Sequence, residues 1–387
     1  MQRAIYVQPE PLSFDPLIHP RPAKCSAIHA PLDETVGLID DECWSIGSLM
    51  FCKKFKDEKD MPPDVVCSWS DNGATYGLLK RTPPKLDLVS EGNHEAGAFG
   101  GFACPHHGIW NLSPGVFCRV KFWSEGLTTE ASTIRFVNKH VPSVPTEEIL
   151  YDWVDRVWNK TVIITRAVPG TVYKDAWLGF TTEQKLHVAD QVAEHCRALA
   201  ELTSDYVETV EGTGIDGMFS LRERECLPHW IPRVEPRVAR DDYLAYLKRL
   251  YGVLDVPGAG EPLVLQHPDL SPGNFFVTTP SDPKEMPKVT GLIDWEHVGY
   301  NFKWQVSSRP RGVRDFRVYD FSSNPDLPNR NGTDWQWMLS NACVREGFPL
   351  ELEVMFDSVK EFVICYPGTQ AKNFICSENL PTQEVSD

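Results

Sequence analysis

Two short segments in the second half of the chain carry the side chains with the clearest chemical potential. The first contains His267, Asp269 and Asn274, and the second places Asp294 directly after the apolar run 289–293. Phosphoryl transfer from a nucleotide needs one carboxylate to orient or deprotonate an acceptor hydroxyl. It also needs an amide oxygen and a second carboxylate to hold Mg²⁺ against the phosphates. The types and spacing of these residues therefore predict phosphoryl-transfer chemistry.

The same residues carry a resemblance to the aminoglycoside/choline phosphotransferase family, whose fold is similar to that of protein kinases. The H-x-D-x-x-x-x-N pattern of that family matches His267, Asp269 and Asn274. Its later I-D-W/F segment matches residues 293–295. The fuller wording H-P-D-L-S-P-G-N at 267–274 is similar to that of fungal-type members.

The resemblance implies a role for each matched residue. By it, Asp269 is the catalytic base, and Asn274 and Asp294 are magnesium ligands. His267 supports the catalytic loop through hydrogen bonds. The resemblance also implies ATP and Mg²⁺ as cofactors and a hydroxyl of a small molecule as the phosphate acceptor. A cationic amine and a secondary metabolite are both acceptor classes that fit this expectation.

The resemblance requires a lysine on a strand for the nucleotide phosphates and a glutamate on a helix to hold it. Alternation along residues 116–123 places Arg119 and Lys121 on one face of a predicted strand. Glu130 lies on the predicted helix that follows, so Lys121 and Glu130 form the expected pair. Arg119 shares the face of Lys121 and remains an alternative to it.

The order of the predicted elements indicates an α+β chain with a two-lobed, protein-kinase-like fold. An irregular N-terminal arm is expected at 1–40, a β-rich nucleotide-binding lobe at 41–168, and a mainly helical catalytic and substrate-binding lobe at 169–387. The sequence Asp71-Asn-Gly predicts a tight turn between strands. Residues 90–115 have the composition of a loop.

Helices are expected where apolar residues recur at helical spacing behind a capping residue. Thr181 and Gln184 form a predicted capping box in front of an apolar stripe that begins at Leu186. The other predicted helices span 127–137, 240–252, 334–348 and 350–363. The glycine-rich cover of the nucleotide stays open between 97–101 and 113–115.

Composition narrows the classes of partner. The 387 residues include 54 acidic and 38 basic side chains, for a formal charge of −16. A nucleic-acid partner is not expected, because phosphate backbones are bound by basic surfaces. We also expect no membrane segment, since no apolar run is long enough to span a bilayer. Eleven cysteines without a C-x-x-C pair favour reduced thiols and a cytoplasmic location.

Three questions remain open at this level. A kinase-like chain can keep the loop and serve as a catalytically silent binding or scaffold protein. Glu296 can assist a metal or pair with a neighbouring group. Four aromatic residues fit either an acceptor pocket or the core: Tyr300, Trp304, Trp335 and Trp337. No sequence pattern indicates an oligomeric state.

Overall fold

The computed structural model describes residues 32, 35–86, 107–123, 125–215, 237–251, 258, 260–282, 284–312 and 334–350. Within these residues the strands, numbered in chain order, are β1 Val36–Asp40, β2 Cys43–Ile46, β3 Met50–Phe55, β4 Cys67–Asp71, β5 Ala74–Lys80, β6 His107–Ser113, β7 Val116–Phe122, β8 Ile149–Asp155, β9 Lys160–Arg166, β10 Thr171–Val172, β11 Thr203–Ser204, β12 Tyr206–Val207, β13 Val238–Ala239, β14 Leu263–Gln266, β15 Phe275–Val277, β16 Val289–Leu292 and β17 Gly299–Asn301. The helices are α1 Glu130–His140, α2 Tyr173–Ala176, α3 Thr182–Ala200, α4 Arg240–Tyr251, α5 Lys303–Gly312 and α6 Trp335–Arg345. None of these described helices is both long and apolar enough to cross a membrane.

The first half of the described chain, residues 36–166, is rich in strands and is called the β-rich region below. It contains two antiparallel sheets, with strand orders β1-β2-β3-β5-β4 and β6-β7-β9-β8. The predicted turn joins β4 to β5, where Asn72 and Gly73 both have positive φ. Asparagine and glycine adopt this conformation at little cost, so the turn forms where the sequence predicts it.

The two sheets share one hydrophobic core because each turns an apolar face towards the other. The four-stranded sheet contributes Val116, Cys118, Val120 and Phe122 from alternate positions of β7. The opposite face of β7 carries Arg119 and Lys121, as the alternation predicts. The four-stranded sheet therefore has one apolar face for packing and one face with charged groups for the site.

Helix α1 follows β7 and packs against the charged face of the sheet. Its N-cap is Thr129, whose hydroxyl accepts a hydrogen bond from the Ser132 amide at 3.1 Å. The helix therefore begins at Glu130, three residues later than the expected 127. Its apolar residues Ala131 and Ile134 belong to a second core cluster, which also contains Trp295.

The remaining described residues, 171–350, form the helical region, in which α3 packs against α6. The capping box of α3 forms as predicted: the Thr181 hydroxyl accepts from the Gln184 amide, and the Gln184 side chain accepts from the Thr181 amide. The predicted apolar stripe is wrong at Leu186, which is 40% exposed, while Val188 and Val192 are buried. The predicted positions 189, 193 and 196 are buried, so the stripe is confirmed further along the helix and Leu186 lies at the edge of the buried face.

Three short sheets hold the loops of the helical region. Strand β14 pairs with β11 and β17 and leads directly into residue 267. Strands β15 and β16 form an antiparallel hairpin that separates residue 274 from residue 294. A mainly helical region with small sheets agrees with the predicted order of elements and confirms the α+β class.

Two expectations about the first half of the chain need correction. The N-terminal arm does not extend to residue 40, because Val36–Asp40 pairs with β2 as an edge strand. Residues 90–115 are not all loop, since His107–Ser113 forms β6 beside β7. Both strands contain glycine and polar residues, which weakens the β pattern in the sequence. The candidate cover at 97–101 and the helix predicted at 350–363 lie outside the described residues, apart from residue 350.

Candidate active site

His267 holds the loop that follows β14 in place through hydrogen bonds. The His267 Nδ1 atom accepts the Asp269 amide at 3.3 Å, so the ring proton lies on Nε2, which donates to the Ile293 carbonyl at 3.0 Å. The ring also makes an edge contact with Trp295, at 4.9 Å between ring centroids. Burial lowers the pKa of His267, although the nearby carboxylates of Asp269 and Asp294 oppose this effect. A neutral His267 therefore ties the loop to the segment that contains Asp294.

Asp269 and Asn274 lie at the two ends of a compact turn. The Asn274 side-chain amide donates to the Asp269 carbonyl at 3.0 Å, and the Trp335 indole donates to the Leu270 carbonyl at 3.0 Å. The Oδ1 atom of Asp269 is buried and has no hydrogen-bond partner among the described residues. Buried carboxylate oxygens are usually paired, so this atom is available to an incoming donor such as a hydroxyl.

The β15–β16 hairpin brings Asn274 and Asp294 to the same end of the helical region. Phe275 pairs with Leu292, and the Ile293 amide donates to the Asn274 carbonyl at 2.9 Å. Asp294 then adopts φ 68° and ψ 52°, in the left-handed region. This conformation is uncommon outside glycine, and such residues concentrate at functional sites.

Lys121 connects the two regions of the molecule. Its Nζ atom lies 2.8 Å from Asp294 Oδ1, 2.8 Å from Glu296 Oε2 and 3.3 Å from Glu130 Oε2. Burial alone lowers the pKa of Lys121, but the carboxylates of Asp294, Glu130 and Glu296 outweigh it and raise the pKa above its ordinary value. The lysine is therefore a fixed cation on β7 that contacts the end of the β15–β16 hairpin.

Arg119 occupies a different place from Lys121. Its guanidinium forms ion pairs with Glu147 and with Glu130 Oε1, the latter at 3.1 Å. Burial lowers the pKa of Arg119, but Glu130 and Glu147 raise it by a larger amount, so the net shift of the pKa is upwards. Of the two basic residues, Lys121 is the one with a described ion pair to Asp294, which favours it as the phosphate-binding residue.

Glu147 is a site residue that the sequence analysis missed. It is 4% exposed, and burial raises its pKa although the adjacent Arg119 lowers it. Its side chain reaches Arg119 from the loop before β8. No spacing rule singles out one glutamate in such a loop, and only the fold reveals that it pairs with Arg119.

Glu296 is engaged by two basic side chains. Besides Lys121, it contacts His297, with 3.2 Å between Glu296 Oε1 and His297 Nε2. Burial alone raises the pKa of Glu296, but Lys121 and His297 outweigh it and hold the pKa well below its ordinary value. The sequence leaves two roles open for Glu296, assisting a metal or pairing with a neighbouring group. The described contacts of Glu296 are those of ion pairing.

The donor atoms at this junction suit a magnesium ion. The described residues contain no group of three or more His, Cys, Asp and Glu side chains arranged as metal ligands. Mg²⁺ characteristically takes only one or two protein carboxylates, with water and phosphate oxygens completing its shell. Since the Asn274 amide nitrogen donates to the Asp269 carbonyl, the Asn274 amide oxygen is left as an acceptor, and the β15–β16 pairing brings residues 274 and 294 to the same end of the hairpin. Amide and carboxylate oxygens are hard ligands, so this pair fits Mg²⁺.

The turn at 113–115 does not have the position of a nucleotide cover. It joins β6 to β7, and Asp71 accepts hydrogen bonds there from the Ser113 hydroxyl and the Gly115 amide, each at 2.6 Å. Gly115 precedes Lys121 by six positions on an extended strand, a distance of about 20 Å. A turn so far from Lys121 cannot cover phosphates bound to that lysine.

Core packing accounts for three of the four aromatic residues considered for an acceptor pocket. Tyr300, Trp304 and Trp335 are buried in the core of the helical region. Trp337 is partly buried, and the Arg311 guanidinium lies 4.2 Å from its ring centroid. The described aromatic residues therefore give no evidence for a cationic acceptor.

A scan against protein-family models and a search of curated proteins found no match to the chain. Among solved structures, similar chains include aminoglycoside-3'-phosphotransferase of type VIII, at 18% identity and a TM-score of 0.39, with 66% of this chain and 88% of that chain covered. The GDP complex of aminoglycoside 2'-phosphotransferase-IIIa has 17% identity and a TM-score of 0.40, covering 66% and 78%. An aminoglycoside phosphotransferase from Streptomyces rimosus has 15% identity and a TM-score of 0.41, covering 66% and 89%. At such low scores, the case for a function rests on the site residues themselves.

Proposed function

We propose that the protein is an ATP-dependent phosphotransferase that acts on a hydroxyl of a small molecule, of the aminoglycoside/choline phosphotransferase type with a protein-kinase-like fold. One observation carries the proposal. Lys121, held by Glu130, meets Asp294 at the end of the hairpin that begins at Asn274, and the same hairpin is tied to the loop of Asp269. The residues expected to bind phosphate, bind metal and handle the acceptor proton therefore converge at one junction.

Each side chain has a role that follows from its surroundings. Lys121 neutralises phosphate charge, and Glu130 holds the lysine in place. Asp269 accepts or orients the proton of the acceptor hydroxyl, because its Oδ1 atom accepts no hydrogen bond from any described group. His267 stays neutral and fixes the loop, so that the carboxyl group is presented in one orientation.

Asn274 and Asp294 would hold Mg²⁺ through their oxygen atoms. When bound, the ion supplies positive charge that offsets the charge of the nucleotide phosphates. The charged groups around Lys121 support this assignment. The network has two cations, Arg119 and Lys121, and four carboxylates, those of Glu130, Glu147, Asp294 and Glu296, for a formal charge of −2. A site of this charge attracts a divalent cation and repels a free triphosphate.

The wider assignment belongs to the same proposal. The nucleotide-binding lobe begins at β1 and extends to residue 168, and residues 169–387 form the catalytic and substrate-binding lobe. The chain is a fungal-type member of the family and acts in the cytoplasm. Its acceptor is a small alcohol, such as a hydroxyl-bearing amine or secondary metabolite.

A catalytically silent binding protein is the competing function. The available Oδ1 atom of Asp269 favours catalysis over this alternative, because a loop kept only for its shape has no use for an unpaired buried carboxylate oxygen. The decisive experiment is an ADP-release assay of the purified protein with ATP and Mg²⁺, screened against pools of small alcohols and hydroxyl-bearing amines. We expect at least one pool to raise ADP release above the level without acceptor. Binding of Mg-ATP without acceptor-dependent ADP release from any pool supports the silent protein instead.

A further inference from the structure

Helix α1 is tied to both regions, although it belongs to the β-rich region in sequence. Its first residue, Glu130, reaches back to Lys121 on β7. Its apolar residues Ile134 and Val137 pack in the core of the helical region. The geometry of the Lys121–Glu130 pair therefore depends on how firmly the start of α1 is held to the helical region.

Three threonine hydroxyls hold this helix start. Thr128 Oγ1 lies 2.7 Å from Thr209 Oγ1 and 2.8 Å from Thr213 Oγ1, and the last two atoms are 2.7 Å apart. Each hydroxyl can donate one bond and accept another, so the three can satisfy one another in a closed ring. Thr128 and Thr209 are each 5% exposed, which protects these bonds from water. We call this group the threonine ring.

Thr209 and Thr213, the two members of the threonine ring in the helical region, belong to one hydrogen-bonded turn. The Thr209 amide donates to the Thr213 carbonyl at 2.9 Å, and the Gly212 amide donates to the Thr209 carbonyl at 3.0 Å. The turn is joined to β17, because the Tyr300 amide donates to the Glu208 carbonyl at 2.8 Å. Thr128 is thus bonded to a fixed point of the helical region.

Three consecutive residues at the start of α1 have separate tasks. Thr128 joins the threonine ring, and Thr129 caps the helix. Glu130 contacts Lys121 and also accepts the Trp295 amide at 3.1 Å. A displacement of Thr128 moves the helix start and, with it, the carboxylate of Glu130.

We propose that the threonine ring positions Glu130 against Lys121, which makes Thr128 a positioning residue for the proposed phosphoryl transfer. The catalytic consequence rests on the proposed function, whereas the positioning of Glu130 by the threonine ring does not. Without the ring, the helix start shifts, and the Glu130 carboxylate leaves both Lys121 and the Trp295 amide.

The first test measures how fast Lys121 reacts with an amine-modifying reagent, followed by mass spectrometry of the labelled peptide. A buried amine held in ion pairs reacts slowly, so loss of the Glu130 contact frees the Lys121 amine more often and is expected to increase its labelling rate severalfold. We expect faster labelling of Lys121 in Thr128→Val and a rate near that of the wild type in Thr128→Ser, which keeps the hydroxyl.

The matched control is Thr133→Val, which removes a buried hydroxyl from the same helix. The Thr133 hydroxyl bonds only within α1, to the Thr129 carbonyl at 3.4 Å, among its described hydrogen bonds. We expect it to leave Lys121 labelling unchanged. Equal labelling rates in the wild type, Thr128→Val and Thr133→Val overturn the proposal. Equal acceleration in both valine variants also overturns it, because the effect then follows from general loosening of α1.

The second test separates positioning from nucleotide binding. In a turnover assay, Thr128→Val is expected to lower kcat by about tenfold or more with little change in the KM for ATP, because a misplaced charge affects the reacting geometry more than the binding energy. Thr128→Ser is expected to restore kcat. An unchanged kcat in Thr128→Val overturns the catalytic consequence. A wild-type protein without turnover contradicts the proposed function instead, and the labelling result alone then decides whether the threonine ring positions Glu130.

Discussion

At the scale of single residues, the account depends most on the carboxylate of Asp269. Its Oδ1 atom is buried and has no described hydrogen-bond partner, unlike the carboxylates around Lys121, which are all ion-paired. An acceptor hydroxyl can meet this oxygen without breaking an existing contact. We therefore propose Asp269, and not Glu296, as the base.

Replacing Asp269 by asparagine removes the base and keeps the shape of the side chain. We expect turnover to fall by about 10²-fold or more while the affinity for Mg-ATP and the melting temperature stay close to the wild-type values. Steady-state ADP release and thermal unfolding measure the two quantities. The control is Asp175→Asn, an exposed carboxylate on α2. Turnover of Asp269→Asn equal to that of the control removes Asp269 from the mechanism.

His267 links the pH dependence of stability to the catalytic loop. Burial lowers its pKa below 6.5, the ordinary value, so the folded state binds this proton less readily than the unfolded state does. The stabilisation by neutral His267 is therefore complete at pH values above the pKa that this group has in the unfolded state. It declines as the pH falls below that value. We expect the free energy of unfolding to decrease between pH 7 and pH 5, and His267→Gln to make this decrease smaller and to reduce turnover.

His195 provides the control for His267. Burial lowers its pKa from 6.5 to about 4, so its contribution to stability has the same sign, but it lies on α3. His195→Gln is expected to flatten the pH dependence of urea unfolding without reducing turnover at pH 7. If both variants keep wild-type turnover, His267 does not support the catalytic loop.

Most of the candidate site residues can be predicted from the sequence because their chemistry is local. His267, Asp269 and Asn274 lie within one short loop, and an apolar strand indicates the position of Asp294. Glu147 was missed because its role exists only where the loop before β8 passes Arg119 in space. Long-range pairing of this kind has no fixed spacing in a single sequence.

At the scale of elements, local signals gave the caps and turns correctly. The capping box of α3 and the turn between β4 and β5 each depend on two to four neighbouring residues, and both form as predicted. The five-stranded sheet, called the N-terminal sheet, was harder to predict because its edge strand β1 is short. The residues of this sheet pack against a part of the chain that is distant in sequence. Its apolar face is matched to the four-stranded sheet, which lies much later in the chain.

Asp155 joins the two sheets of the β-rich region. It is fully buried, and its carboxylate accepts bonds from the Ser48 amide at 2.6 Å, the Ser48 hydroxyl at 2.7 Å and the amides of Val157 and Trp158 at 3.1 and 3.0 Å. A Cβ atom on Gly47 would lie 2.6 Å from the same carboxylate, so this position requires glycine. The sheet that carries Lys121 is therefore fixed to the five-stranded sheet by the buried Asp155, in addition to the contacts of Asp71 with Ser113 and Gly115.

Asp155→Asn replaces one acceptor oxygen with an NH₂ group that faces amide donors. We expect the free energy of unfolding to fall by about 2 kcal/mol or more, since the lost bonds involve a buried charged group. Asp152→Asn, on the same strand, breaks a partly exposed ion pair with Arg135 and is expected to cost about 1 kcal/mol or less. Urea unfolding measures both. Equal losses in the two variants contradict a special role for Asp155.

At the scale of the whole molecule, charge decides how a nucleotide can bind. The chain has a formal charge of −16, and the network around Lys121 adds no positive excess. A triphosphate is strongly anionic, so Lys121 alone cannot offset both the phosphates and the surrounding carboxylates. In the proposed function, a divalent cation held by Asn274 and Asp294 would provide the missing charge. Nucleotide binding is therefore expected to require the metal.

Calorimetric titration of ATP into the protein, with Mg²⁺ or with EDTA, tests this central claim most directly. We expect binding with Mg²⁺ and none with EDTA, and in Asp294→Asn an affinity for Mg-ATP lower by about tenfold or more. The control Asp282→Asn, an exposed carboxylate between β15 and β16, is expected to match the wild type. ATP binding of equal affinity with Mg²⁺ and with EDTA, or an unchanged affinity in Asp294→Asn, would contradict the account.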